Sequence, residues 1–236
     1  MIKGIIFDYG GTLDSHSEHW SHVIRRGWNE AGIQTSDDTF RDCYVFAERE
    51  MAKRRVVFEE DTFLTLMRKK ATIELDRYAF LRNEIPDREK ASETIAQYCY
   101  NVAKACTTEA KPVLQAITDA GCPMALVSNF YGNVGAVLRD FGLRQYFSGI
   151  IESSVVGVRK PDPRIFMLGC VALGLKPEET LVVGDSLDKD ILPALSIGCQ
   201  AAWLKGPAWN PADDTTTHPS EIPSLQYIPT FLAKRS

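Results

Sequence analysis

The 236-residue sequence lacks three things: an excess of positive charge, a long apolar run and paired cysteines. Its formal net charge of −4 leaves no basic footprint, so nucleic acid is not an expected partner. Its apolar runs fall far short of the ~20 residues that cross a bilayer, so no membrane span is expected. The N-terminus does not show the charged, apolar and small-residue order of a signal peptide. None of Cys43, Cys99, Cys106, Cys122, Cys170 and Cys199 belongs to a CxxC pair, and most sit in apolar patterns. They read as buried reduced thiols, which together with the missing signal points to the cytoplasm.

Glycine and proline are also nearly missing from residues 16 to 107. That region is rich in charge and carries helical spacing. Thr35-Ser36-Asp37-Asp38 caps a helix expected to run to about Met51. Apolar residues at intervals of three and four predict a second helix over 59–78, and Asp87 starts a third. The region reads as an all-helical insertion. From Pro112 onward, helix and strand alternate. A helix opened by Pro112 runs to Ala120, and further helices are expected over 134–141, 164–173 and 189–196. The strands are "PMALVS", "GIIES", "TLVVG" and "QAAWL", and residues 2–8 supply another. Such alternation implies a parallel sheet covered by helices on both faces. Residues 206–224 read as a proline-rich loop with one short edge strand near Ile222. With 44% apolar residues, a chain of this length can bury a sizeable core.

Ligands of open parallel sheets bind beyond the carboxyl ends of the strands. The residues there are Asp8 and Thr12 after the first strand, and Ser128 and Asn129 after the second. Arg159-Lys160-Pro161 follow the third, and Asp185, Ser186, Asp188 and Asp190 follow the fourth. This inventory suits phosphoryl chemistry. A carboxylate such as Asp8 is a competent nucleophile towards phosphorus. Asp8 and Asp185 are hard oxygen ligands suited to Mg²⁺. Lys160 would neutralise charge on the transferring group. The N–H groups around Tyr9, Gly10 and Gly11, and the hydroxyls of Thr12 and Ser128, could cradle its oxygens.

"FDYGGTLDS", "LVSN", "GVRKPDPRIF" and "VVGDSLDKDILPALSIG" resemble, in order, the four motifs of the haloacid dehalogenase-like (HAD) hydrolase superfamily. The resemblance spans nearly the whole chain, and the helical insertion looks like the cap of its C1-type subgroup. It implies an α/β fold: a Rossmann-like core over 1–14 and 108–236, with a helical cap over 15–107. It implies that Asp8 is a nucleophile forming an aspartyl-phosphate. Ser128 would bind phosphate, with Asn129 shaping that loop, and Lys160 would hold both nucleophile and phosphate. Asp185 would ligate Mg²⁺, Asp190 would ligate it or orient its waters, and the Gly10 carbonyl would be a further ligand. The expected partner is a small phosphorylated substrate, and monomer and dimer are both open.

The sequence departs from the family pattern at Gly10. The phosphatases of this family usually carry a second aspartate there, which protonates the leaving group and then activates water. General acid–base catalysis typically contributes about 10²- to 10⁴-fold. Asp14 or one of His16, His19 and His22 could stand in, although Asp14 and Ser15 also suit a helix cap and the histidines a solvated surface. Phosphonatases and 2-haloacid dehalogenases lack that aspartate too. The former need a cap lysine, for which Lys53 is the candidate, although it also reads as a surface cation. The latter need no metal, against which the "GDSLDKD" cluster argues. A slow phosphohydrolase and a non-catalytic protein that binds a phosphate ligand or a partner complete the alternatives. Asp190 also suits a first helical turn, and Arg159 could assist Lys160 or face solvent. Trp20, Trp28, Tyr44 and Phe46 read as core of the insertion, and Lys53-Arg54-Arg55 as a solvated face.

Overall fold

A computed structural model describes residues 1–83, 87–207 and 215–232. Its centre is a six-stranded, wholly parallel sheet. The strands are β1 (Gly4–Phe7), β2 (Met124–Ser128), β3 (Gly149–Glu152), β4 (Thr180–Gly184), β5 (Gln200–Leu204) and β6 (Glu221–Ile222). Their spatial order is β3-β2-β1-β4-β5-β6. The chain therefore walks outward from β1 to one edge, returns to the other side of β1, and walks outward again. The order reverses between β1 and β4, which makes their carboxyl ends the natural ligand crevice. Both strands are fully buried, and successive side chains point to opposite faces. Ile5 and Phe7 join the larger apolar core, while Ile6 joins a smaller one with Val127, Val182 and Phe166. β6 is the edge strand expected near Ile222; residues 208–214 of the loop before it lie outside the described residues.

The insertion after β1 is helical throughout its described length. It comprises α1 (Trp20–Glu30), α2 (Asp37–Lys53), α3 (Phe63–Arg82) and the first part of α4 (Arg88–Asp119). Ser36 caps α2 as expected, its hydroxyl accepting from the Thr39 N–H. α3 begins four residues later than the spacing predicts, because Asp61 closes a turn by accepting from the Phe58 N–H and Thr62 then caps the helix. The two helices expected on either side of residue 108 are one, and Pro112 lies inside it. An interior proline costs a helix about 3 kcal/mol. Burial of Ala103, Ala110, Val113, Leu114 and Ile117 on both sides of Pro112 offsets that cost and keeps the helix continuous. The remaining helices are α5 (Val134–Asp140), α6 (Ser153–Val156), α7 (Arg164–Leu173) and α8 (Leu192–Ser196). A π-helical turn, Leu187–Ile191, precedes α8 and occupies the start of the helix expected over 189–196. All six cysteines are buried, and none forms a disulfide. No helix among the described residues is long and apolar enough to cross a membrane.

Candidate active site

Asp8 is the first residue beyond β1, and its N–H still pairs with the Val183 carbonyl of β4 at 2.9 Å. The sheet thus delivers Asp8 to the rim next to the residues that follow β4. Gly11, at φ +95°, is the point of closest approach: a Cβ there would stand 2.3 Å from Asp185 Oδ2. Glycine is required by both backbone and space. Gly10 has open space where a side chain would start, with nothing within 4 Å. Asp14 ties the loop together by accepting from the Gly11 N–H at 2.7 Å and from the Trp20 indole at 3.0 Å. It does not cap α1, whose N-cap is His19. Burial pushes the Asp14 carboxyl up to about 7, against the pull of those two donors.

Lys160 comes from the segment between β3 and α7. Its backbone is clamped by Asn129, which accepts from the Lys160 N–H at 2.9 Å and donates to its carbonyl at 3.0 Å. The ammonium lies 2.6 Å from Asp8 Oδ1 and 2.6 Å from Asp190 Oδ1. All three side chains are buried. Burial alone would lower the Lys160 pKa, but the charges of Asp190 and Asp8 hold it well above its ordinary range. Asp190 Oδ2 also accepts from the Ser186 N–H at 3.1 Å. Asp185 is held by the Trp203 indole on its carbonyl at 2.8 Å and by the Thr12 hydroxyl on Oδ1 at 3.3 Å.

Asp8, Asp185 and Asp190 each offer a carboxylate oxygen within 4.8 Å of the others. Three carboxylates thus face one ammonium. The crowding shows in their protonation: Asp185 is raised well above its usual value by its enclosed setting and by Asp190 and Asp8. Burial likewise pushes Asp190 up to about 6, with Lys160 opposing. An uncompensated acid surplus of this kind fits a divalent cation bound by oxygen ligands.

A cavity of about 240 Å³ lies between these strand ends and the helical insertion. Asp8, Gly10, Gly11, Ser128, Asn129, Lys160, Asp185 and Asp190 line it, which brings most of the expected site together. Arg159 lines it too. Thr12 is fully buried and turned to Asp185, and the Tyr9 side chain packs against Phe130, so neither side chain lines the cavity. Two of the other candidates lie elsewhere. His16 pairs with Glu109 at 3.2 Å, and Lys53 is exposed beside Glu50 at 3.6 Å. Trp20 and Tyr44 line the cavity, whereas Trp28 is core.

The cavity is also lined by Glu48 and Lys70 of the insertion and by Tyr131 and Lys189 of the core, none of which belongs to the expected site. Lys70 had one visible signal. It lies within the stripe Leu66, Met67, Ala71 and Leu75 of α3, where a lysine interrupts an otherwise apolar face. His19 also lines the cavity; burial, then Lys189, His22 and Lys70, push it down to about 4.

A family model described as haloacid dehalogenase-like hydrolase matches residues 2–198. The sequence is 36% identical over 97 residues to a phosphoserine phosphatase of Thermus thermophilus. That match covers 41% of this chain and only 39% of the length of the Thermus protein. Over 205 residues it is 31% identical to a phosphoglycolate phosphatase of Thiobacillus denitrificans, covering 84% of this chain and 81% of the relative. Among solved structures, a HAD phosphatase from Thermococcus onnurineus shares the fold with a TM-score of 0.56, at 23% identity over 98% of each chain.

Proposed function

We propose that this chain, which belongs to the haloacid dehalogenase-like hydrolases, is a Mg²⁺-dependent phosphohydrolase acting on a small phosphorylated metabolite. The reading is carried by one observation: Asp8, Lys160, Asp185 and Asp190 share one cavity, with acid in surplus. The phosphatases named among its relatives support the same class of substrate.

Asp8 is the nucleophile in this reading. One of its carboxylate oxygens bonds to phosphorus as the ester oxygen departs with the bonding pair, leaving an aspartyl-phosphate. Lys160 holds the Asp8 carboxylate in place and supplies positive charge beside the transferring group. The N–H groups of Tyr9 and Gly10 and the hydroxyl of Ser128 receive phosphate oxygens, whereas the Gly11 N–H, also expected there, is taken by the Asp14 carboxylate; Asn129 fixes the segment that carries Lys160. Thr12 acts through Asp185. Asp8, Asp185 and the Gly10 carbonyl would hold magnesium, with Asp190 orienting the set through Lys160 and Ser186. When bound, the ion supplies the charge that lets an anionic carboxylate approach an anionic phosphate. Water then attacks phosphorus, releasing inorganic phosphate and restoring Asp8.

Gly10 leaves the departing oxygen without the usual proton donor. Alkyl phosphates feel that lack most, because their leaving groups are strongly basic. Acyl and aryl phosphates feel it least. The phosphonatase alternative loses its lysine candidate, since Lys53 is exposed and lies outside the cavity. The acid cluster weighs against metal-free dehalogenation. Acetyl phosphate and p-nitrophenyl phosphate are the substrates that test the proposal. Turnover is expected with Mg²⁺, lost on chelation and restored by added Mg²⁺. No turnover of either compound would leave a binding protein, and turnover indifferent to chelation would refute the metal.

A further inference from the structure

The insertion side of the cavity carries a charge that phosphate chemistry does not use. Glu48 of α2 lines the cavity and keeps 37% of its side chain accessible. It is fixed from behind. The Lys70 ammonium of α3 pairs with Oε1, and the Tyr131 hydroxyl, from the loop after β2, approaches both oxygens at 3.1 and 3.0 Å. Lys70 is only 6% exposed and lies 4.2 Å from the centre of the Tyr44 ring. The ammonium is therefore the buried support, and the carboxylate is the charge that a ligand meets. Burial would raise the Glu48 pKa, but Lys70 holds it below its usual range, so it stays ionised. Neighbouring His19 is held neutral near pH 7 and adds no competing cation.

A pair built only for stability would not need an accessible acid at a cavity wall, because buried ion pairs add little net stability. The two ends of the cavity carry different charge sets. At the strand ends Lys160, Arg159 and Lys189 stand among Asp8, Asp185 and Asp190, where a metal and a phosphate would share the charge, and on the insertion Glu48 stands with Lys70 behind it. Its volume of about 240 Å³ lies below the ~300–1,000 Å³ of pockets for drug-sized ligands, so the molecule it holds is small.

We propose that Glu48 selects the organic half of the substrate, and that this substrate is a small phosphate monoester bearing a primary amine. The inference rests on the phosphohydrolase reading. An ammonium would make a charge-assisted hydrogen bond to Glu48 where a hydroxyl makes a weaker one. A second carboxylate would meet like charge.

The test compares kcat/KM, with Mg²⁺, for O-phosphoethanolamine and 2-hydroxyethyl phosphate, which differ only in amine against hydroxyl. Phosphoglycolate is the acidic third compound and p-nitrophenyl phosphate the reference. The amine is expected to be preferred at least about tenfold, and the preference to fall towards unity in Glu48→Gln. The ratio cancels any loss common to both substrates, so a purely structural role for Glu48 would not move it. Should Glu48→Gln fail to fold, Glu48→Gln combined with Lys70→Met removes both charges together and serves instead. Equal rates on the matched pair, a preference for phosphoglycolate, or a preference that survives the substitution each overturns the inference. So does turnover of p-nitrophenyl phosphate with none of the three esters. These outcomes leave the phosphohydrolase reading standing, whereas no turnover of p-nitrophenyl or acetyl phosphate sinks that reading and this inference with it.

Discussion

Two lysines are buried among the described residues, Lys160 at the strand ends and Lys70 in the helical insertion. Each is paired with carboxylate, yet the balance around them differs. Lys160 is flanked by Asp8 and Asp190, both buried, with Asp185 beside them. Lys70 has one close acid, Glu48, which keeps partial access to the cavity. Its second acidic neighbour, Glu74, is buried and pushed up to about 7 by that burial, with Lys70 and the Trp28 indole opposing. Acid therefore exceeds base in the core cluster, while the charges of the insertion cluster nearly cancel. The first arrangement asks for a cation from outside; the second already carries its own, and holds one carboxylate ready.

The largest expected effect breaks the core cluster. Asp8→Asn removes the proposed nucleophile and is expected to lower kcat/KM on p-nitrophenyl phosphate by at least about 10⁴-fold, with the circular dichroism spectrum unchanged. Activity retained within tenfold would place the chemistry elsewhere. The next effect sharpens the contrast within the insertion. Glu48→Gln strands a buried ammonium and is expected to cost about 3–5 kcal/mol in urea unfolding. Lys70→Met strands an acid that solvent reaches, and should cost clearly less. Equal losses would mean that Lys70 is not the buried support.

A gain is expected from Gly10→Asp, because the position has room for a side chain and restores a proton carrier next to Asp8. Alkyl phosphates should be hydrolysed at least about tenfold faster, and acetyl phosphate should gain less. An equal or absent gain would show that proton supply does not limit the wild type.

The smallest effect concerns pH. The folded chain holds the Glu74 proton more tightly than the unfolded chain, whose pKa is near 4.5. Stability at this site is therefore full below pH 4.5 and is lost as pH rises through about 7. Glu74→Gln keeps an acceptor for the Trp28 indole and removes the titration. Between pH 5 and 8 the wild type should lose on the order of 1–3 kcal/mol more than the variant, read from paired unfolding curves. Parallel curves would show that Glu74 titrates normally.

The core cluster was legible in the sequence because strand ends announce themselves. An apolar run that stops at one acid, as at Asp8, or at "GDSLDKD", marks where a parallel sheet delivers its side chains. The helical character of the insertion was legible from spacing and caps, as at Ser36 and Asp87. The insertion's share of the cavity was not. Glu48 reads as one charge in a charged helix, and Lys53, nearer an expected role, points to solvent. Pro112 misled because a local rule about helix ends was overruled by burial along α4. Asp14 suited a helix cap by residue type, but the turn at Gly11 and the Trp20 indole claim its carboxylate.

By itself the sequence determined the sheet and the order of its strand-end residues. Each depends on short-range pattern and on a topology with few solutions. The tertiary structure alone decided which side chains of the insertion face Asp8. Helices α2 and α3 pack through apolar stripes, and the rotation at which those stripes seat, which no single helix encodes, turns Glu48 and Lys70 inward and leaves Lys53 in water.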